Sequence, residues 1–293
     1  MKTVAIVGAN SMLGKTLAVQ LGQQGITVIS VGRSKNNDII LDLVKPFHYS
    51  ICANYKADVI FHCASAFGDD TFEGTQTNFL TNTIGSLNVL KLMQQLECVH
   101  VVYAGSMSSY PRLEATNLLS SYGLSKAQAE QILEWGMKRK EGLFCSLRFS
   151  QLYDTEGLCC HHQPWFGRII AYASRGLDLH LPASKGKRNF LHVSEAACLM
   201  ILSAKAHITG CWPVCHYESL DTTEMAELAY REFGCGGQII IDMKKKPFRA
   251  IFFPEDLSIF ERLQHKLSIS MAQGIAMIHQ SGFAENFGPL DVL

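Results

Sequence analysis

The sequence lacks the features that would assign it at once to a membrane, secreted or nucleic-acid-binding class. No apolar run approaches the roughly 18 residues that a membrane-spanning helix requires. Charge of neither sign dominates, because 26 basic residues balance 26 acidic ones, so no electrostatic attraction to nucleic acid is expected. Glycines follow the first apolar run, where a secretory signal would continue apolar. We therefore expect a cytoplasmic protein without a membrane or nucleic-acid partner.

The ten cysteines predict neither disulfide bonds nor a metal site. Disulfides are rare in the cytoplasm, so reduced thiols are expected. The run Cys159-Cys160-His161-His162 offers adjacent ligands, whereas zinc ligands are usually about two to four positions apart. Cys211 and Cys215 have a usable separation, but no second pair lies near them in the sequence. No metal is expected.

Short apolar runs alternate with amphipathic stretches through the first half of the chain, which indicates a parallel sheet with crossover helices. The pattern predicts strands at Thr3–Val7, Thr27–Val31, Asp38–Leu41, Asp58–Cys63, Val99–Tyr103 and Phe144–Arg148. Helices are predicted after Gly14 and over Thr77–Gln95 and Ser121–Arg139. In the 77–95 helix, the apolar face is expected to comprise Leu80, Ile84, Leu87, Leu90 and Leu92.

The segment Gly8-Ala-Asn-Ser-Met-Leu-Gly14 joins the first predicted strand to the first predicted helix. Glycines permit unusual backbone angles and close approaches in such a turn, and a helix N-terminus attracts a pyrophosphate. Glycine-containing turns of this kind are common, so the motif alone is weak. Its place after the first strand of an alternating pattern makes a dinucleotide site the better interpretation.

The end of the second predicted strand, Val31-Gly32-Arg33-Ser34, indicates which dinucleotide is bound. An acidic residue at this place, about 20 residues past the glycine turn, bonds the ribose 2′-hydroxyl of NAD, whereas an arginine accommodates the 2′-phosphate of NADP. The first carboxylate after the strand is Asp38, and Arg33 could bind a phosphate through two hydrogen bonds. NADP(H) is favoured, although NAD(H) and a merely solvated arginine remain open.

Tyr122 and Lys126 lie four positions apart in a predicted helix, so both side chains face the same way. A lysine ammonium beside the phenol would stabilise tyrosinate and lower the pKa of Tyr122 from its usual ~10. Ser106 follows a predicted strand, at the sheet edge where open α/β folds bind ligands, and its hydroxyl could polarise a carbonyl. Together with the glycine turn, these residues predict hydride transfer beside an acid–base tyrosine.

Further segments resemble the extended short-chain dehydrogenases/reductases, the nucleotide-sugar epimerase, dehydratase and reductase group. They are Asp42-Leu43, His62-Cys-Ala-Ser65, Asn82-Thr-Ile-Gly-Ser-Leu-Asn88, the Tyr122-to-Glu130 segment, Leu147-Arg148-Phe149 and Arg188-Asn-Phe-Leu-His-Val193. The resemblance covers nearly the whole chain and implies three catalytic residues, Ser106, Tyr122 and Lys126. It implies cofactor contacts from Gly8, Asn10, Ser11, Met12, Leu13, Gly14, Arg33, Asp42, Leu43, Cys63, Ala64, Ser65, Asn82, Tyr122 and Lys126. It implies substrate contacts from Ser106, Gln151 and Arg188, the last at the position that holds a substrate diphosphate.

The chain departs from the family pattern at four places. Ser11 replaces the middle glycine of the turn, Gln151 replaces an asparagine, and Tyr153-Asp154 replaces Tyr-Gly. Met107-Ser108 follows Ser106, where dehydratases of the family carry an Asp-Glu pair. Because neither of these two side chains is an acid or a base, 4,6-dehydration is not expected.

The predicted fold is α/β, a Rossmann-type doubly wound parallel sheet with a small C-terminal substrate lobe. The dinucleotide-binding domain is placed at 1–150 and the lobe at 151–293, with segments near 190–206 and 237–243 that could return to the sheet. After Gln151, helices are predicted at Pro164–Ala173, Ser194–Ala206 and Ser268–Ser281, and a strand at Gly237–Met243. The active site is expected in the cleft between domain and lobe, with the cofactor at the carboxyl ends of the strands.

The predicted function is that of an NAD(P)-dependent oxidoreductase that reduces a keto group on a nucleotide-linked sugar. Two alternatives remain: a nucleotide-sugar epimerase that retains NAD, and, from another class, a non-catalytic NAD(P)-binding or regulatory protein. Thr77–Gln95 and Ser121–Arg139 resemble the helices that pair in dimers of the family. A homodimer is therefore predicted, with outward-facing Leu92, Met93 and Trp135.

Overall fold

The computed structural model describes residues 1–48, 55–110, 118–184, 186–247, 251 and 253–290. The chain forms two compact units. The first comprises Met1–Phe149, Ala196–Val214 and Leu257–His265, and the second comprises Ser150–Glu195, Cys215–Asp256 and Lys266–Leu293.

A seven-stranded parallel sheet forms the centre of the first unit. Its strands are β1 (Thr3–Val7), β2 (Thr27–Gly32), β3 (Ile39–Ile40), β4 (Val59–His62), β5 (His100–Ser106), β6 (Leu143–Phe149) and, from later in the chain, β10 (Gly210–Val214). They are ordered β10-β6-β5-β4-β1-β2-β3. The strand order reverses between β1 and β4, so the carboxyl ends of these strands form the crevice in which open α/β sheets bind ligands.

The helices of the first unit include α1 (Met12–Gln23), α2 (Phe72–Asn78), α3 (Gly85–Gln95) and α4 (Ser121–Lys138), and the unit also holds most of α6 (Val193–Lys205) and all of α8 (Ser258–Leu263). Leu13, Leu17 and Leu21 form the buried stripe of α1. Residues 4–7 of β1 are all buried, as expected of a strand covered on both faces. The predicted Rossmann-type α/β fold is confirmed.

The strand β10 was not foreseen in the sequence. Its segment Gly-Cys-Trp-Pro-Val contains a glycine and Pro213, both of which argue against a strand. β10 pairs with β6 alone and forms one edge of the sheet, where the missing N–H of a proline breaks no ladder.

The helical region before β5 corrects the predicted apolar face. It begins at Phe72 and contains a π-helical segment, Phe79–Ile84, between α2 and α3. Leu80, Ile84 and Leu87 are exposed, whereas Leu92 is buried. A π-helical turn holds more residues than an α-helical one, so a 3.6-residue period carried across it assigns the wrong side. The buried side of the π segment is polar and comprises Asn82 and Thr83.

The second unit contains two small sheets. β7 (Gln151–Tyr153), β9 (Arg188–His192) and β11 (Ser219–Leu220) form one, in the order β11-β9-β7. β8 (Leu179–Leu181) pairs with β12 (Ile239–Ile241), so the strand predicted near 237–243 lies in this separate sheet and not in the large one. The helices are α5 (Pro164–Arg175), α7 (Thr222–Phe233) and α9 (Met271–Ser281).

Candidate functional site

The turn from β1 to α1 is packed so tightly against neighbouring backbone that neither of its two glycines has room for a side chain. Gly8 has a φ of +86°, and a Cβ there would lie 2.6 Å from the Ala64 backbone nitrogen. A Cβ on Gly14 would overlap the Gly8 carbonyl oxygen. The Gly8 N–H donates to the Val31 carbonyl over 2.8 Å, which fixes the turn against β2. The result is a backbone cradle at a helix N-terminus, the feature that fits a dinucleotide pyrophosphate.

Ser11 occupies the middle position of this turn without backbone strain. Its φ and ψ of −72° and 162° are extended values that any residue adopts. Its hydroxyl accepts a hydrogen bond from the Gly14 N–H over 3.1 Å and so caps α1. The N–H groups of Met12 and Leu13 belong to the first turn of α1, which has no intrahelical acceptors for them. The serine is therefore compatible with the turn and leaves these two donors for an anion.

Arg33 and Asp38, which follow β2 in the sequence, are placed differently. Arg33 is exposed just after β2, and the Asn10 side chain lies beside Gly32 at the end of that strand. Asp38, the nearest carboxylate in sequence, accepts hydrogen bonds from the Ser30 N–H and hydroxyl at 2.8 and 2.7 Å. These bonds lower the pKa of the Asp38 carboxyl and hold its side chain against Ser30 of β2.

The remaining cofactor candidates lie near the carboxyl ends of β3 and β4. Asp42 accepts the Val44 N–H, while Leu43 is buried and its carbonyl accepts the Asn88 amide. The N–H groups of Cys63 and Ala64 both donate to the Val7 carbonyl, at 2.8 and 2.9 Å. Burial raises the pKa of the Cys63 thiol to about 12, so it is not a thiolate.

Ser106 and Tyr122 are brought together by a close approach of α4 to β5. Ser106 ends β5 and accepts the Ser108 N–H over 3.1 Å, which caps a short 3₁₀ turn. Gly123, near the start of α4, lies against the Ser108 carbonyl, where a Cβ would overlap the oxygen. This approach brings the Tyr122 phenol near the Ser106 hydroxyl, which lowers the phenol pKa.

The Lys126 side chain is turned towards β5. Its Nζ donates to the Ala104 carbonyl over 2.7 Å and lies 4.1 Å from the centre of the Tyr103 ring. Burial lowers the pKa of Lys126 to about 7. Burial also raises the pKa of the Tyr122 phenol, more than hydrogen bonds from Ser106 and Ser65 lower it. The lowering of the Tyr122 pKa that the sequence predicted is therefore not found in this geometry.

Two asparagines clamp the loop after β4, and only one was foreseen. Asn82 accepts the Ala66 N–H over 2.8 Å and donates to the Ala66 carbonyl and to Ser125 Oγ, both over 3.0 Å. Asn78, one turn earlier, makes the equivalent bonds to Gly68 and Ser121. Asn78 and Asn82 are four residues apart, as are their partners Ser121 and Ser125, and this matched spacing was the signal that the sequence offered. That these asparagines bond these serines is decided only by the fold.

Glu130 extends the functional face of α4 by one more turn. It is 3% exposed and accepts two hydrogen bonds at 3.0 Å from Arg148 Nε and one at 2.6 Å from Nη2. The Ser146 hydroxyl donates to the same carboxylate over 2.5 Å, and the Arg148 guanidinium lies 4.7 Å from the Tyr110 ring centre. The ion pair joins α4 to β6 inside the unit.

The substrate candidates Gln151 and Arg188 belong to the second unit. Gln151 donates to the Gln163 side chain over 2.7 Å. Arg188 is 5% exposed, donates to the Lys187 carbonyl, and has its pKa lowered by burial. Asp154, where the family has glycine, accepts the N–H groups of Glu156, Leu158 and Cys159, so its carboxylate organises the turn that follows β7.

Neither a metal cluster nor a membrane span is found in the described part of the chain. No group of three or more His, Cys, Asp or Glu side chains is placed to hold an ion there. Over those same residues, every helix is too short or too polar to cross a bilayer.

A sequence model of the NAD-dependent epimerase/dehydratase family matches residues 4–210. The chain belongs to this family. It is 22% identical to the dTDP-4-dehydro-6-deoxyglucose reductase of Escherichia coli over 218 residues, which are 66% of this chain and 69% of the reductase. The family predicted from the motifs is thereby confirmed.

Two solved structures with the same fold are named as epimerases. The UDP-N-acetylglucosamine 4-epimerase from Bacillus cereus superposes with a TM-score of 0.80 at 21% identity, over 100% of this chain and 99% of that one. The UDP-glucose 4-epimerase of Thermus thermophilus, in complex with NAD, gives 0.73 at 18% identity, over 96% and 99%. At these identities the likeness shows the fold, and the family establishes the class of NAD-dependent sugar epimerases and reductases.

Proposed function

We propose that the protein reduces a keto group on a nucleotide-linked sugar, with NADPH as the hydride source. The observation that carries the proposal is the placement of Ser106 at the end of β5 and of Tyr122 on α4, one helical turn from Lys126, all in the first unit. The Escherichia coli relative, named as a reductase of a dTDP-linked keto sugar, supports this choice of reaction. NADPH is supported by exposed Arg33 and by the engagement of Asp38 with Ser30.

In the proposed reaction, Ser106 and Tyr122 act on the carbonyl that is reduced, and the other residues hold the cofactor or the substrate. A bound nicotinamide supplies the hydride. The Tyr122 phenol, kept neutral by its burial, gives its proton to the carbonyl oxygen as charge develops there. The Ser106 hydroxyl donates a hydrogen bond to the same oxygen, and Lys126, whose Nζ bonds the Ala104 carbonyl in this structure, would hold the ribose of a bound cofactor. Gln151 and Arg188 are assigned to the sugar and the diphosphate.

An epimerase that retains NAD is the second candidate, supported by the fold likeness to the two 4-epimerases. It would use the same serine, tyrosine and lysine, because oxidation at a carbinol and re-reduction of the resulting ketone need one acid–base group. The two candidates differ in the fate of the cofactor. A reductase exchanges it every turnover, whereas an epimerase keeps it.

The proposed function is tested by the cofactor that the protein retains and uses. We expect protein purified without added nucleotide to release no stoichiometric NAD⁺ or NADH on denaturation, as analysed by mass spectrometry. We expect it to bind NADPH at least tenfold more tightly than NADH and to oxidise NADPH when given dTDP- or UDP-linked 4-keto sugars. Stoichiometric bound NAD⁺, with interconversion of UDP-sugars and no net NADPH oxidation, would establish the epimerase instead.

A homodimer is proposed through the outer face of α3 and α4. Leu92 and Met93, which were predicted to face outward, are buried in the core, so that part of the prediction is wrong. Trp135 is exposed as predicted, and the other exposed large apolar residues described on these helices and the π segment are Leu80, Ile84, Leu87 and Leu124. A groove of about 380 Å³ runs beside Trp135 between α3 and α4. Exposed apolar clusters of this kind mark interaction surfaces.

Leu87→Glu is expected to separate the proposed dimer into monomers, because a carboxylate in an apolar interface must lose its hydration. Light scattering should give twice 32.5 kDa for the wild type and 32.5 kDa for the variant. Val19→Glu, on the exposed side of α1, is the matched control and should remain dimeric. A wild type that scatters as a 32.5 kDa particle at all accessible concentrations would rule the dimer out.

A further inference from the structure

Phe67 is an exposed aromatic residue that the loop after β4 places against Tyr122. Its side chain belongs to the first unit and is 54% exposed. The Phe67 ring meets the Tyr122 ring edge-on, with ring centres 4.6 Å apart and an angle of 67° between the planes. An apolar ring that is partly open to solvent therefore lies next to the side chain assigned as the proton donor.

Both neighbours of Phe67 in the chain are held through their backbone groups. Asn82 accepts the Ala66 N–H over 2.8 Å and donates to the Ala66 carbonyl over 3.0 Å. Asn78 accepts the Gly68 N–H over 2.7 Å and donates to the Gly68 carbonyl over 3.0 Å. Phe67 lies between these two pairs of bonds, so its main chain has little freedom to move and its ring is presented from a fixed position.

The same two asparagines tie the loop to the start of α4, on either side of Tyr122. Asn78 donates to Ser121 Oγ and Asn82 donates to Ser125 Oγ, both over 3.0 Å. Both asparagines are buried, so water does not compete for these bonds. The separation of Phe67 from Tyr122 is therefore set by hydrogen bonds on both sides as well as by the contact of the two rings.

A phenyl ring in this place discriminates between the groups that flank the reacting carbonyl. In the proposed reaction the Tyr122 phenol meets the carbonyl oxygen, so a ring packed on Tyr122 is close to the carbon atoms next to the carbonyl. A hydroxyl against a phenyl ring loses its hydration without a new partner, whereas a methyl group there buries apolar surface. In a 4-keto hexose, one flanking carbon carries C6, which is a hydroxymethyl group in an ordinary hexose and a methyl group in a 6-deoxy sugar.

We propose that Phe67 is a specificity-determining residue, which packs on the C6 methyl group of a nucleotide-linked 4-keto-6-deoxy sugar and disfavours the 6-hydroxylated analogue. The inference rests on the proposed function for the reaction whose substrate it selects. An apolar contact of this kind discriminates against an added hydroxyl by about ten- to a hundredfold. The two asparagines contribute because a ring held in place cannot move aside to admit a hydroxyl with its water.

The proposal is tested by the ratio of kcat/KM for matched sugars, measured in the oxidative direction with NADP⁺. The pairs are dTDP-6-deoxyglucose with dTDP-glucose, and dTDP-6-deoxygalactose with dTDP-galactose, so that both configurations at C4 are covered. We expect the wild type to favour the 6-deoxy member of a pair by about ten- to a hundredfold. In Phe67→Ala this ratio should fall to within about threefold, through a raised KM for the 6-deoxy sugar and with little change in the KM for NADP⁺. Phe67→Leu, which keeps an apolar side chain, should retain most of the preference.

Phe72→Ala is the matched control, because Phe72 is a second exposed phenylalanine, 77% exposed at the start of α2. It should leave the ratio of the two sugars unchanged. A wild-type ratio near one, an unchanged ratio in Phe67→Ala, or an equal loss in Phe72→Ala overturns the proposal. A raised KM for NADP⁺ in Phe67→Ala with an unchanged ratio also overturns it, since Phe67 would then contact the cofactor and not the sugar.

Binding separates the Phe67 inference from the proposed function. In saturation-transfer NMR of the wild type with NADP⁺ and the dTDP-6-deoxy sugars, the C6 methyl protons should receive strong saturation, which should be lost in Phe67→Ala. If this methyl contact is seen in a protein that oxidises none of the sugars, the proposed function fails and the Phe67 contact is established. If the sugars are oxidised without the methyl contact, the proposed function is supported and the Phe67 inference is wrong. Absence of both binding and oxidation overturns both.

Discussion

Replacing Tyr122 by phenylalanine is expected to lower kcat for keto-sugar reduction by about 10²- to 10⁴-fold, the usual contribution of a positioned general acid. The phenyl ring keeps its edge-on contact with Phe67, so the packing of α4 should survive. NADPH affinity, measured by fluorescence titration, should change little. The loss therefore falls on the chemical step, because the variant lacks the phenolic proton.

The same variant separates an enzyme from a non-catalytic NAD(P)-binding or regulatory protein. A binding module would retain its function in Tyr122→Phe, since its cofactor site is unaltered. Tyr110→Phe is the matched control, because the ring contact described for Tyr110 is with the Arg148 guanidinium, 4.7 Å from the ring centre. Turnover by Tyr122→Phe within about threefold of the wild type would exclude the proton-donor role, since a general acid contributes far more than that.

Glu130→Ala is expected to destabilise the first unit by about 3–5 kcal/mol, because it leaves the Arg148 guanidinium largely buried without its counter-ion. The Ser146 hydroxyl would also lose its acceptor. The measurement is the midpoint of chemical denaturation, followed by circular dichroism. A loss of this size is a large fraction of the stability of an ordinary domain, so the soluble yield should also fall.

Glu134→Ala provides the comparison on the same helix. Glu134 pairs with Lys138 over 2.8 Å, but the two side chains are 38% and 74% exposed. Exposed pairs at this spacing contribute about 0.3–0.5 kcal/mol. If the two glutamate variants unfold at the same denaturant concentration, the buried pair does not have the stabilising role assigned to it here.

Local signals in the chain were sufficient for six of the seven strands of the large sheet and for the family. β1 and β2 were located within a residue. β1 is buried on both faces and therefore reads as an unbroken apolar run. The apolar face predicted for the helical region before β5 was wrong, because the change of helical period at the π segment Phe79–Ile84 cannot be recognised in a hydrophobicity pattern. The edge strand β10 was missed for a related reason. A proline such as Pro213 is tolerated in a strand at the edge of a sheet, and the local pattern does not show where in the sheet a strand lies.

The sequence by itself determined the family, the alternating α/β fold, the glycine turn and the spacing that presents Tyr122 and Lys126 on one helical face, because each is a relation between residues close along the chain. Only the tertiary structure decided that Asn78 and Asn82 hold the loop after β4, that Lys126 turns onto the Ala104 carbonyl, and that Leu92 lies in the core while Leu87 is exposed. These outcomes depend on contacts between segments tens of residues apart, whose strengths are set by burial and hydrogen-bond geometry rather than by local pattern.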